Sequence, residues 1–246
     1  VLSIKSILEI SKILNISDII SKCLGVKCSF QKDKKNLTTG AYVQTYSAED
    51  KFVMQVGSAK TTKEGNKISG DSNLQVRLED GKYLLAISDG MGSGKNAKES
   101  SKFVINSLNN LLEKGFEEED ALNLINSELN LNKNDEMYAS LDMSILDLYT
   151  GNLTILKNGA CNTYIKNKKN INIYKSKEMP VGIIENINLS KEYVELDDGD
   201  IILMCSDGLF ESKDEISKDW IEEFLKNINT NNVQKIADLI VSEAID

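Results

Sequence analysis

Hydrophobic residues in the first two dozen positions fall at helical spacing. Ile4, Ile7, Leu8, Ile10, Ile13, Leu14, Ile16, Ile19 and Ile20 recur three or four apart, and Gly25 supplies a stop. The spacing predicts one long amphipathic helix over residues 2–24, or two broken near Asn15-Ile16-Ser17. Its apolar stripe is wide enough to pack on a domain or on a second chain. The pattern then shortens to β-like runs at Lys27–Gln31, Ala41–Ser47, Phe52–Ala59 and Leu74–Leu78. An Asp80-Gly81 turn leads into Tyr83-Leu84-Leu85-Ala86-Ile87, which predicts a hairpin. Residues 60–70 are polar and glycine-containing and read as a loop.

Helical periodicity returns from about Ala97 to Lys114, ending at Gly115, and from Glu117 to Leu131 with Ala121, Leu122, Leu124, Ile125 and Leu129 inward. Strands follow at Ala139–Leu148, Leu153–Lys157, Thr163–Lys166, Ile171–Tyr174, Lys191–Leu196 and Asp200–Cys205. Two helices close the chain, at about 218–228 and 232–245. Strands, two helices, strands, two helices is an α+β order. It predicts antiparallel sheets flanked by helix pairs, not the β-α-β alternation of a doubly wound sheet.

Composition narrows the chemistry. Among 246 residues there is no histidine, which removes Ser-His-Asp and Cys-His catalysis. The net charge of -9, with Arg77 the single arginine, argues against a nucleic-acid partner. Cys23, Cys28, Cys161 and Cys205 form no C-x-x-C pair, and Cys161 and Cys205 sit in apolar runs, which predicts buried free thiols and an intracellular compartment. No apolar run reaches eighteen residues, and the first residues lack a basic n-region, so neither a membrane span nor a signal peptide is expected here. The first residue is Val, not Met, which suggests a piece of a longer protein with any membrane anchor upstream.

Three acids stand at strand ends. Asp71 lies in Ser69-Gly70-Asp71-Ser72, just before a predicted strand. Asp89 follows an apolar strand and opens Asp89-Gly90-Met91-Gly92-Ser93-Gly94. Asp207 follows another, in Ser206-Asp207-Gly208. A carboxylate at the mouth of a sheet can point at a shared ion, and an adjacent glycine lets backbone carbonyls come close. Mg²⁺ and Mn²⁺ take oxygen ligands and need no histidine. Two such ions about 3.5–4 Å apart can activate a water and clamp a phosphoryl group. Asp-Gly alone is an ordinary turn; two copies after apolar strands, with Gly-Asp upstream, favour metal binding. Nucleotide motifs fail on spacing, since a P-loop would need glycine at Asp89 and a dinucleotide fingerprint glycine at Lys95. The helix beginning near Ala97 offers an N-terminus able to help hold a phosphate.

At these residues the chain resembles the PPM-type metal-dependent serine/threonine phosphatases, and within them the stage II sporulation protein E branch. The likeness runs from about residue 60 to the end. It rests on Ser69–Ser72, Ile87–Gly94, Ser140-Leu141-Asp142-Met143-Ser144, Met179-Pro180-Val181-Gly182-Ile183 and Met204–Glu211. The Asp-Gly-Met-Gly-Ser-Gly run is the specific piece.

The resemblance implies an α-β-β-α sandwich of two mostly antiparallel sheets holding two Mn²⁺ or Mg²⁺ ions at one edge. Asp89 would bridge both ions, the Gly90 carbonyl would bind one, Asp207 would ligate the other side, and Asp71 would act directly or through water. Asp89 and Asp207 would carry the catalysis, with Gly92, Ser93 and Gly94 near the substrate. A metal-activated water would attack a phosphoserine of a phosphorylated anti-anti-sigma protein and so promote activation of the forespore sigma factor. Residues 1–25 would be a regulatory helix, able to pair two copies, and residues 26–246 the phosphatase domain, cytoplasmic and anchored to a membrane by an upstream segment. Met91 stands where many PPM phosphatases have histidine, so leaving-group protonation would fall to water or another acid. The strand with an Asp-Asp motif that usually closes such domains would follow Asp246. The competing readings are a stress-response phosphatase of another partner-switching pathway and a catalytically silent binding module of the same fold. A nuclease is disfavoured by the acidic charge.

Overall fold

The computed structural model describes residues 2–6, 15–35, 39–61, 69–91, 94–131, 137–210 and 220–245. The chain forms two compact units, one of residues 1–53 with 148–150, the other of residues 54–147 with 151–246.

In the first unit, β1 (Leu2–Ser6), β2 (Cys28–Lys35) and β3 (Tyr42–Ala48) form an antiparallel sheet of order β1-β3-β2. The long helix predicted over residues 2–24 is therefore corrected. Its first part is a strand paired with β3 from Leu2↔Tyr46 to Ser6↔Tyr42, and among the described residues of this span the helix is α1 (Ile16–Leu24), which starts at the break expected near Asn15-Ile16-Ser17. The intervening residues 7–14 lie outside the described residues. Leu2, Ile4 and Ser6 also satisfy a period of two, and the free edge of β3 decides between the two readings. A small core of Ile20, Cys28 and Tyr46, with Ile4, Ile16 and Ala48 against it, holds α1 to the sheet.

In the second unit, a five-stranded antiparallel sheet of order β10-β7-β6-β5-β4 carries the main core. Its strands are β4 (Asp71–Arg77), β5 (Lys82–Asp89), β6 (Leu141–Asp147), β7 (Asn152–Asn158) and β10 (Lys191–Glu195). The helices α2 (Gly94–Glu113) and α3 (Glu118–Leu131) bury Val104, Leu108, Leu122, Ile125 and Leu129 against Leu84, Ala86, Met143 and Ile145 of that sheet. These side chains are almost wholly removed from water, at about 1.5–3 kcal/mol each. A second antiparallel sheet, β11-β8-β9, contains β8 (Thr163–Lys166), β9 (Ile171–Tyr174) and β11 (Ile201–Leu203). The helix α4 (Trp220–Asn227) packs Ile221 and Leu225 on Tyr164, and α5 (Val233–Ile245) closes the described chain.

The α+β reading stands: five helices and antiparallel sheets among the described residues. Phe52–Ala59, expected as a strand, joins no sheet among the described residues. Its side chains alternate in exposure, but no described strand supplies a ladder; Lys51 and Phe52 donate to the Leu148 carbonyl, at 2.9 and 3.0 Å. No helix among the described residues is long and apolar enough to cross a membrane.

Candidate metal centre

The site grows out of the β4–β5 hairpin. Strand β4 begins at Asp71, three residues earlier than the sequence predicts, and β5 ends at Asp89, so the two acids are direct cross-strand partners. Opposed side chains in an antiparallel pair lie about 4.5–5.5 Å apart at Cβ, and two like charges there repel. Asp207 arrives from a 3₁₀ turn, Asp207–Leu209, just after β11. Its neighbour Ser206 donates from Oγ to Asp71 Oδ2 at 3.0 Å. The two Ser-Asp-Gly segments and the upstream Gly-Asp thus meet at one place.

Asp89 sits at the centre. Burial, then the charge of Asp71, then that of Asp207 push its carboxyl up to about 7, and both neighbours come within hydrogen-bonding reach of it. Three acids crowd together, and a cation among them would offset the repulsion that Asp89 feels. The backbone is fixed to suit. Ser140 donates its N–H to the Asp89 carbonyl at 2.8 Å, Asp89 N–H donates to Ser140 Oγ at 3.1 Å, and Ser88 Oγ donates to the Ser140 carbonyl at 2.7 Å. Gly90 is buried, and a Cβ there would lie 1.7 Å from the Ala97 carbonyl oxygen. Only glycine lets the start of α2 come this close. A Cβ on Gly70 would stand 3.0 Å from Asp89 Oδ1 and 3.4 Å from the Gly90 carbonyl oxygen, so those two oxygens share one small space.

Among the described residues no three His, Cys, Asp or Glu side chains form a finished ligand cage. The oxygens that do converge still suit a hard cation. Mg²⁺ keeps several waters and is held by one or two carboxylates. Asp71, Asp89, Asp207 and the Gly90 carbonyl form such an all-oxygen set, with crowded carboxylates to be neutralised. Gly92 and Ser93 lie outside the described residues, and Gly94 is the first residue of α2.

Beneath the acids is a cavity of about 50 Å³ whose walls include Asp89, Asp142, Cys161, Cys205, Ser206 and Asp207. Cys161 and Cys205 are free, as expected, but half-buried, and they line this cavity. Burial pushes the Cys161 thiol up to about 11 and that of Cys205 higher still, so both stay protonated and unreactive at neutral pH.

Several neighbours of the acids escaped the sequence reading. Lys60 Nζ and Lys98 Nζ both donate to the Asp71 carbonyl, at 2.9 and 2.5 Å, and Lys98 also reaches Ser72 Oγ at 3.1 Å. Ser101 Oγ donates to the Gly70 carbonyl. Lys98 and Ser101 lie three apart on α2, and that helical spacing is the signal that could have placed them together. Lys157 and Asp142 form a buried ion pair in which burial pushes the acid up and the amine down while each charge opposes the other's shift.

Comparison with known proteins places this arrangement. The family model described as stage II sporulation protein E matches residues 79–246. The stage II sporulation protein E of Priestia megaterium is 33% identical over 232 residues, 94% of this chain and 39% of that protein. That of Bacillus subtilis (strain 168) is 34% identical over 232 residues, 94% of this chain and 28% of that protein. The chain therefore spans well under half of these curated relatives. A solved structure of the PP2C phosphatase domain and a fragment of the regulatory domain of SpoIIE from Bacillus subtilis superposes with a TM-score of 0.80 at 31% identity, covering 99% of this chain and 74% of that one.

Proposed function

The chain belongs to the stage II sporulation protein E family and carries a PP2C-type serine/threonine phosphatase domain, and we propose that it dephosphorylates a phosphoserine of an anti-anti-sigma protein during sporulation. The observation that carries this reading is the meeting of Asp71, Asp89 and Asp207 around one crowded, half-buried carboxylate. The PP2C fold implies dependence on a divalent metal ion. Two Mn²⁺ or Mg²⁺ ions would be held by the carboxylates of Asp89, Asp207 and Asp71 and the Gly90 carbonyl. When bound, such ions supply an activated water and neutralise the phosphoryl oxygens. The chain's own part is positional. Ser140 fixes the backbone of Asp89, and Ser206 orients Asp71. Met91 carries no titratable proton, so the leaving serine would take its proton from water or from another acid. The whole protein is read as membrane-anchored, with this part on the cytoplasmic side.

The test is phosphate release from a phosphoserine anti-anti-sigma protein with Mn²⁺, with Mg²⁺ and with EDTA. Release should require a divalent cation and fall by about 100-fold or more in Asp89→Asn. A folded wild type that binds the phosphoprotein but releases nothing with either metal would overturn the reading.

A further inference from the structure

Asp142 and Lys157 are direct cross-strand partners on β6 and β7. Their ion pair measures 2.5 Å between Nζ and Oδ2, with 5% of the lysine and 1% of the aspartate side chain exposed. Thr163 Oγ1, fully buried, donates to the same Oδ2 at 2.6 Å and accepts from Lys157 Nζ at 2.7 Å. One oxygen of the carboxylate is thus held twice. The other, Oδ1, is buried and has no hydrogen-bond partner among the described residues. Leaving a charged oxygen so is costly, and native structures rarely do it without a reason.

The reason lies in where Asp142 sits. It shares the walls of the 50 Å³ cavity with Asp89, Asp207 and Ser206. A cavity of that size, with carboxylates and a hydroxyl on its walls beside Ile87, Met91 and Ala160, has room for water, which bridges groups too far apart to bond directly. We propose that Asp142 is a positioning residue for the cation site, its Oδ1 anchoring water that orients the carboxylates of Asp89 and Asp207. Lys157 and Thr163 fix the rotation of the Asp142 carboxylate by occupying Oδ2, which leaves Oδ1 as the oxygen available to such a water. A buried ion pair that served packing alone would satisfy both oxygens within itself and would have no need to open onto the acids. Partners one step removed from a metal ligand typically change metal affinity about 10–100-fold. The inference rests on reading Asp89 and Asp207 as cation ligands.

The experiment measures Mn²⁺ affinity of the whole chain by calorimetry, without substrate, alongside thermal melting in EDTA. The double variant Asp142→Leu/Lys157→Met replaces the buried pair by apolar groups of similar size, a change that often leaves stability unaltered or raised. It should bind Mn²⁺ about tenfold or more weakly while melting near wild type. Asp142→Asn/Lys157→Met, which restores an oxygen facing the cavity, should recover most of the lost affinity, an outcome a packing role does not foresee. Thr163→Val keeps the ion pair and frees the carboxylate to rotate; it should weaken Mn²⁺ several-fold, and it decides the matter if the Leu/Met variant does not fold. Wild-type affinity in the folded variants overturns this inference alone. A wild type that binds no Mn²⁺ overturns it together with the metal reading.

Discussion

Asp71 and Asp89 stand directly opposite each other in the β4–β5 ladder, two carboxylates at a position where like charges repel. Ser206 ties Asp71 to the segment bearing Asp207, so the hairpin and the end of the second sheet are joined through acids and a hydroxyl. Asp89 is acted on by both other acids. Asp89→Asn should therefore abolish measurable Mn²⁺ binding, whereas Asp71→Asn should weaken it by about tenfold. Calorimetric titration of the two variants checks the order; equal losses would remove Asp89 from the centre of the site.

The crowding also sets a pH dependence in metal-free protein. Asp89 titrates near 7 in the folded chain against an ordinary 3.8, so between these values the folded state holds a proton the unfolded state has released. Stability from this group is present at low pH and lost as pH rises through about 7. Because the group is half-exposed, the effect is roughly 1 kcal/mol, a few degrees in melting temperature. Thermal melts in EDTA at pH 5 and pH 8 should show a fall that is smaller in Asp89→Asn. The same slope in both proteins would count against the crowded carboxylate.

Much of the fold can be read from pattern alone where turn residues bracket a short alternating run, and Thr163–Lys166 and Ile171–Tyr174 match their strands residue for residue. At Leu2–Ser6 helical and strand periodicities coincide over five residues, and only the tertiary partner β3 chooses between them. Phe52–Ala59 fails the other way, with alternation present and a partner strand missing. The acids were visible because Ser-Asp-Gly repeats after apolar runs. Asp142 and Lys157 were not singled out, since their meaning depends on register across two strands. Yet they lie symmetrically about Tyr149-Thr150, between β6 and β7, so the hairpin already paired them.

The Met-Pro-Val-Gly-Ile segment is pinned by α3. Asn126, almost fully buried, accepts from Gly182 N–H at 2.8 Å and donates to the Ile184 and Glu185 carbonyls at 2.9 Å each. Asn126→Ala strands the Gly182 N–H and the Glu185 carbonyl, while Asn130 Nδ2 still donates to the Ile184 carbonyl at 3.0 Å, and it should cost about 1–3 kcal/mol, read as a lower urea midpoint. A cost under about 0.5 kcal/mol, that of an ordinary surface change, would mean that water replaces the side chain there.

Gly90 gives the sharpest prediction. Gly90 is bridged to Ala139, which is bridged in turn to Val181, while the first turn of α2 lies against its other side. A methyl group at 90 would meet the Ala97 carbonyl oxygen at 1.7 Å and its carbon at 2.4 Å, both backbone atoms that no rotamer change can move. Gly90→Ala must therefore push α2 outward or displace Asp89 and the Gly90 carbonyl. Overpacking of this kind costs about 1–3 kcal/mol. Displacement of the carbonyl would weaken Mn²⁺ as well. Hydrogen exchange separates the two responses. Faster exchange confined to the first turns of α2, with Mn²⁺ affinity kept, means the helix gave way. Lost affinity with α2 still protected means the oxygens moved. A variant equal to wild type in exchange, affinity and melting temperature would contradict the packing of Gly90 against Ala97.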